Sequence, residues 1–275
     1  MKRLINLTPP RGGRWLLGLV PFALLAMLYI SLSSERLANN PNDRLLPAPA
    51  TMAQSFYHLA SAENVRTGEI TLWTDTFASL ERLLIGVGIS ALLGLLIGIL
   101  TGGLPILRAK LSPLVTVLSL IPPMAILPIL FIAFGTGEAS KIALIVIGVT
   151  PFLIRDLQGH ALRLPDEQLI KAQTLGASSW QVLLRVLLPQ LTPRLLNATR
   201  LALGTAWLFL IAAEAIAAQE GLGYRIFLVR RYLSMDIILP YVAWITLLAF
   251  VLDQLLAWTS RLVFPWYHAG EGDKS

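Results

Sequence analysis

The chain contains no cysteine, so disulfide staples and thiolate metal sites are both excluded, and cysteine usage says nothing of redox compartment. Charge is scarce as well: 14% of the 275 residues are charged, against about a quarter in a soluble domain. Its three histidines, His58, His160 and His268, fall in separate loops and offer no metal-ligand spacing. Lysine occurs only at positions 2, 110, 141, 171 and 274, never after a glycine, so no Walker A phosphate loop is present. No serine sits in a nucleophile elbow, and no carboxylate pair stands out as acid and base. A catalytic reading therefore has no support, and neither metal nor cofactor is expected.

Apolar sequence fills the space left by charge. Hydrophobic residues make up 55% of the chain and mean hydropathy is +0.68, which indicates an integral membrane protein. The formal net charge of +6 sits in loops that flank apolar runs. That arrangement suits topology signals and lipid headgroups, not a nucleic-acid stripe.

Six spans are expected. Lys2, Arg3, Arg11 and Arg14 precede the uncharged run Trp15 to Leu32, which is longer than a signal-peptide core. Ala48-Pro49-Ala50 mimics a cleavage site but lies too far downstream, so this first span is read as retained, with the N-terminus cytoplasmic. Residues 33–78 form an outer polar loop with five acids (Glu35, Asp43, Glu63, Glu69, Asp75) against Arg36, Arg44 and Arg66, and with a surface helix over 52–62. Leu83 to Leu107 is the second span, where Gly86, Ser90, Gly94, Gly98 and Gly102 recur every four residues as a close-packing stripe. Arg108 and Lys110 mark a short cytoplasmic turn. The third span, Leu111 to Gly137, is interrupted at Pro122-Pro123 and at Pro128. Each proline there removes an amide donor, giving either a kinked core helix or a pathway wall. The fourth span covers 139–157, with Lys141 at its outer end. The fifth runs from Leu195 to Gln219 and the sixth from Ile237 to Ser260, with residues 220–236 outside and the tail from Arg261 cytoplasmic.

Charges inside spans are expensive and tend to be paired or functional. Alternation puts Glu214 and Arg82 at the outer side, so either these two pair or Glu214 meets Lys141. Arg200 and Asp253 lie in the inner halves of their spans and make a second candidate pair.

The longest polar interruption of the C-terminal half runs from Leu164 to Pro193. Pro165 is expected at the first helical position, with Asp166 and Glu167 near the positive end of the dipole. Gly176 is expected to stop that helix in a left-handed conformation. Ser178 or Ser179 then caps a second short helix bearing one apolar face (Trp180, Leu183, Leu184, Leu187), which Pro189 ends. Such a bent element suits a groove on a soluble partner.

This loop resembles the signature of permease subunits of binding-protein-dependent ABC importers: Glu-Ala-Ala, three residues, Gly, nine residues, an aliphatic, one residue, Leu-Pro. Ala172, Gly176, Val186, Leu188 and Pro189 match, while Ile170 and Lys171 replace the first two positions. The segments DTFASLERLL, SLIPPMAILPILFIAFGTGEASKIAL, RLALGTAWLFLIAAE and GLGYRI also resemble permeases of the nitrate, sulfonate and taurine group. The resemblance implies an all-α integral membrane protein with the type I importer permease fold. It implies a division into residues 1–46 (N-terminal segment, first helix and start of the outer loop), a permease core over 47–265 with its coupling loop at 164–193, and a tail over 266–275. In the loop, Ala172, Gly176, Ala177, Ser178, Trp180, Leu188 and Pro189 are the expected ATPase-coupling residues. Pro122, Pro123, Met124, Trp207 and Glu214 are the pathway or gate candidates. The implied partners are two ABC ATPase subunits, an extracytoplasmic substrate-binding protein, a second permease copy in a homodimer, and the lipid bilayer, with no nucleic acid. The expected setting is the bacterial inner membrane, multi-pass, with both termini cytoplasmic. The expected cargo is a small anion such as a sulfonate, taurine or nitrate. An ion-coupled secondary transporter using Glu214 and Asp253, or a scaffold subunit without substrate, is the alternative.

Overall fold

A computed structural model describes residues 11–40, 43–64 and 68–269. Lys2, Arg3, Arg66 and the tail beyond residue 269 lie outside the described residues. The fold there is helical, with one isolated bridge between Glu63 and Ile70. In chain order the helices are α1 (Arg11–Asn39), α2 (Pro49–Ser61), α3 (Thr71–Gly103), α4 (Pro105–Leu120), α5 (Pro123–Phe134), α6 (Glu138–Ala161), α7 (Asp166–Thr174), α8 (Ser179–Val182), α9 (Leu188–Ala217), α10 (Leu222–Arg230), α11 (Met235–Val263) and α12 (Pro265–His268). A π-turn over Leu183–Leu187 joins α8 to α9. Five helical stretches are long and apolar enough to cross a bilayer among the described residues, or six if α4 and α5 count as one broken span.

The glycine stripe explains the centre of the bundle. A Cβ on Gly94 would stand 2.7 Å from the Leu153 Cβ, and one on Gly98 would stand 2.8 Å from the Leu157 Cβ. Gly86 likewise faces Ile145, and Gly102 faces Ala161. The partners on α6 recur with the stripe's own spacing and in the same direction, so α3 and α6 run parallel with their backbones close together. Small residues let each Leu or Ile of α6 fill the space that a side chain on α3 would otherwise occupy.

α9 packs against both through Ala198, Ala202, Ala206 and Ala213, all buried, and completes the core with Leu210 and Trp207. By contrast α1 is largely uncovered. Its ties to the rest include Tyr29 Oη donating to the Pro47 carbonyl at 2.8 Å and Ser33 Oγ donating to that of Leu46 at 3.0 Å. α2 lies across α3 and α11, where Trp244 meets Trp73 edge to face and Phe56 at a tilt, and the Trp244 Nε1–H donates to Thr76 Oγ1.

Four expectations of element boundaries need correction. The third span is two helices, not one kinked helix: α4 and α5 meet at 95° across Ile121-Pro122. In a continuing helix, residues 122 and 123 would have donated to the carbonyls of Leu118 and Ser119, and proline has no N–H to give. The Ile121 amide takes the Leu118 carbonyl instead, at 3.3 Å, and the chain turns. Second, Arg108 is not in a turn but in the first turns of α4, from where it reaches back to the Thr101 and Gly102 carbonyls at 3.0 and 2.8 Å. It thereby caps the C-terminus of α3. Third, Asp75 belongs to α3, not to the outer loop.

The fourth correction concerns Pro189, which does not end the second loop helix. The helix passes into the π-turn, where the Leu188 amide donates to the Leu183 carbonyl, and continues as α9. A π-turn absorbs the register slip that a proline's missing donor imposes, so the chain stays helical from Ser179 to Ala217, 39 residues. Leu195 is therefore not the start of the fifth span.

Candidate functional site: a coupling loop, a buried charge network and a basic cavity

The loop between α6 and α9 is built from local signals. Pro165 stands at the N-cap of α7, one position earlier than expected, and Asp166 and Glu167 fill the first turn. At the other end the Gly176 amide donates to the Gln173 carbonyl at 2.9 Å and the Ala177 amide to that of Ala172 at 3.0 Å. Those two bonds are the Schellman pattern, and Gly176 takes the left-handed φ of 79° that it demands. Ala172, Gly176 and Ala177 thus act together as the stop. Ser178 then starts α8 with a reciprocal capping box: its Oγ accepts from the Gln181 amide at 3.3 Å, and its own amide donates to Gln181 Oε1 at 2.8 Å.

Burial divides the loop into a root and an exposed face, and the division differs from the expected apolar face. Leu183 is 3% exposed and packs with Leu187 and Leu191 against Ile99, Leu157 and Ala161. Leu188 is partly buried beside them. The π-turn rotates these leucines toward α3 and α6, so Leu183 and Leu187 are root residues. The exposed apolar face consists of Ile170, Leu175 (88% exposed), Trp180 (62%) and Leu184. Ile170, one of the two departures from the resemblance, lies on this face.

At the opposite end of the bundle lies a buried charge network. Glu214 is fully buried. Arg82 Nη1 donates to its Oε1 at 2.8 Å, and Ser79 Oγ lies 2.8 and 3.0 Å from its two oxygens. Arg82 also grips Glu138 through Nε, and through Nη2 at 3.0 Å, and donates to the Glu220 carbonyl. Lys141 pairs with Glu138 at 2.8 Å and is not the partner of Glu214.

Three successive amides close this network. Those of Gly221, Leu222 and Gly223 donate to Asp75 Oδ1 (2.9 Å), Ser79 Oγ (2.8 Å) and Glu214 Oε2 (2.9 Å). Glycine is required at both flanking positions for different reasons. Gly221 has φ 123°, and a Cβ on Gly223 would stand 2.6 Å from the Ile211 carbonyl oxygen. Asp75 is also met by Arg225 Nε at 2.8 Å and by the Tyr241 hydroxyl at 3.1 Å. Burial would lower the Arg225 pKa, but the Asp75 carboxylate outweighs it and holds the guanidinium above its ordinary value. Sequence reasoning missed Asp75 and Ser79, although Asp75, Ser79 and Arg82 fall at helical spacing on one face.

The other pairs sit nearer the loop. Arg200 clasps Asp253 through two bonds, at 2.8 and 2.9 Å. Arg194 clasps Asp156 in the same two-pronged way, at 2.8 and 2.5 Å.

That last pair borders a cavity of about 710 Å3 in the elbow of the α4–α5 break. α6 supplies one wall through residues four apart, running from Ile147 and Gly148 through Pro151 and Phe152 to Arg155 and Gly159, and Arg163 extends it from the turn that follows. Pro123 faces the cavity from the elbow, and Phe209 closes it from α9. Gly148 is needed there because any Cβ would collide with the Phe209 ring. Of the other pathway candidates, Pro122 and Met124 are both exposed at the elbow. Trp207 lies in the packed core with its indole N–H unpartnered in the structure, and Glu214 lies in the charge network.

The arrangement thus combines a right-angled broken span, a rooted loop with an exposed apolar face and a parallel α3–α6 pair. Residues 92–266 match the family described as binding-protein-dependent transport system inner membrane component. The chain belongs to that family. It is 35% identical over 223 residues to the taurine transport system permease protein TauC of Escherichia coli (strain K12), covering 81% of this chain and 80% of that one. It is 30% identical to the putative aliphatic sulfonates transport permease protein SsuC of Bacillus subtilis (strain 168), covering 83% and 80%. Among solved structures, a chain of the MetNI methionine ABC transporter matches with TM-score 0.62 at 22% identity, over 70% of this chain and 95% of that chain. The fold is accordingly that of a type I ABC importer permease. The chain is a multi-pass inner-membrane transport subunit, and ATP hydrolysis falls to separate ATPase subunits.

Proposed function

We propose that this permease carries a small anion inward, as half of a homodimer served by two ATPase subunits and an extracytoplasmic binding protein. Its relatives' names point to taurine, aliphatic sulfonates and bicarbonate, all of them anionic or bearing an anionic group. Both termini and the α7–α8 loop face the cytoplasm, a side favoured by Arg163, Lys171 and Arg185 in the loop and by Arg155 and Arg194 on the helix ends that flank it. The Glu214–Arg82 network then lies at the outer end, beneath the binding protein.

The observation that carries this reading is the loop's two-sided construction. Its root is buried against α3 and α6, while Ile170, Leu175 and Trp180 project from it without cover. An ATPase groove that takes this face moves the spans, because the root cannot shift without them. Gly176→Val tests it. A Cβ at Gly176 would meet nothing within 4 Å, so the substitution strains only the backbone at φ 79°. We expect normal insertion, at least tenfold weaker capture of the ATPase at matched membrane levels, and little uptake. Equal capture together with normal uptake would remove the loop from the coupling role.

A further inference from the structure

The cavity at the α4–α5 elbow has a chemistry of its own. One stretch of its lining is apolar, made by the exposed Ile147 and Phe152 and the buried Phe209, while the end toward the loop carries Arg155, Arg163, Arg194 and His160. Asp156 is the one carboxylate among the described lining residues, and it is held in the two-pronged grip of Arg194. That leaves this end with two guanidinium groups, Arg155 and Arg163, which no carboxylate pairs among the described residues. Arg155 Nη1 donates to a neutral acceptor, Ser119 Oγ at 2.9 Å, on the opposite wall. Ser119 thereby holds the group across the mouth of the cavity, with most of its fork of donors still available.

We propose that this cavity is a binding site for a short organic oxyanion, with its charged head between Arg155 and Arg163 and its alkyl body against Phe152 and Phe209. Planar guanidinium groups suit the paired oxygens of a sulfonate or carboxylate, and a site partly screened from water strengthens such contacts. The apolar wall gives such a ligand an advantage over inorganic anions of the same charge. On the reading of this chain as an anion permease, the site lies on the release side, next to the root of the coupling loop. The same head chemistry could be offered by a lipid phosphate, so the test must separate the two sources.

The importer assembled with its ATPase subunits, in discs of neutral lipid, would be titrated calorimetrically with sodium 1-butanesulfonate and sodium methanesulfonate at constant ionic strength. Saturable binding is expected, about tenfold or more tighter for butanesulfonate, since each buried methylene contributes roughly 0.8 kcal/mol, a factor of about four. Arg155→Gln and Arg163→Gln should each weaken it by about 10- to 100-fold, and Arg155→Lys by less. The chain-length preference is measured on the wild-type chain, so it decides the matter even where a variant folds poorly. Absence of saturable binding, or equal affinity for the two sulfonates, overturns the proposal. So does loss of butanesulfonate binding in discs of anionic lipid, which would assign the two arginines to lipid phosphate. Binding that behaves as expected in an importer that accumulates no anion supports the site and refutes only the functional reading.

Discussion

Replacing Gly94 with Ala is the sharpest test of how the core is assembled. The new Cβ would stand 2.7 Å from the Leu153 Cβ, where ordinary contact begins at 3.4 Å. Because that Leu153 atom is fixed to its backbone, no rotamer change relieves the clash, and α3 and α6 must separate by roughly 1 Å locally. Overpacking of this kind costs about 1–3 kcal/mol. Against it stands the better helix propensity of alanine, about 1 kcal/mol. Gly88 supplies the control on the same helix, since a Cβ there meets nothing within 4 Å. Gly88→Ala should be neutral or stabilising, so the difference between the two variants isolates the steric cost. With roughly 2–4 °C of Tm per kcal/mol for a chain of this size, Gly94→Ala should melt several degrees below Gly88→Ala in detergent. Fluorescence-detected size-exclusion after a heat series would read that difference. Equal midpoints would mean that the stripe does not hold α3 against α6.

Two further predictions follow from the charges. Arg82→Gln should destabilise more than Glu214→Gln, because it strands a fully buried carboxylate, while the converse leaves Arg82 with Glu138. The double variant should fall short of the sum by about 1–3 kcal/mol in a thermal or denaturant series, and strict additivity would refute the pairing. Because the chain has no cysteine, single cysteines at Gln173 and Ser61 can be labelled without background. They should react from opposite sides of the membrane, and reaction from one side would overturn the proposed topology.

How much of this was legible depends on whether a feature is periodic or contextual. The stripe from Gly86 to Gly102 shows itself because four-residue spacing means one face of a helix, and nothing else in the chain competes with that reading. Gly176 and Ser178 are equally plain, since left-handed stops and capping boxes are local chemistry. Pro189 misled because proline usually ends a helix. Whether a π-turn rescues it depends on what Leu183 and Leu187 can bury against, and α3 and α6 supply that surface from far away in sequence. Asp75 was hidden by its neighbours: a run of loop acids looks solvated until the Gly221 amide and Arg225 arrive from the other end of the chain. The charges at 155, 156, 163 and 194 read as topology signals, and nothing in their spacing reveals that an elbow in α4–α5 opens a cavity beside them.

The uninterrupted helical run from Ser179 to Ala217 has a mechanical consequence. At 1.5 Å per residue, Trp180 lies about 33 Å from Ala202 along the axis, and Glu214 about 18 Å beyond it. Ala198, Ala202 and Ala206 form a buried waist part-way along the rod. A rod pivoting there works as unequal arms on one fulcrum, so a push at Trp180 reaches Glu214 with about half the travel, in the opposite sense, and about twice the force. Such gearing would give the ionic contacts around Glu214 the shorter and stronger stroke. Spin-label distances from each end of the rod to α6 would show displacements of opposite sign in that ratio, whereas equal shifts of one sign would describe a sliding piston.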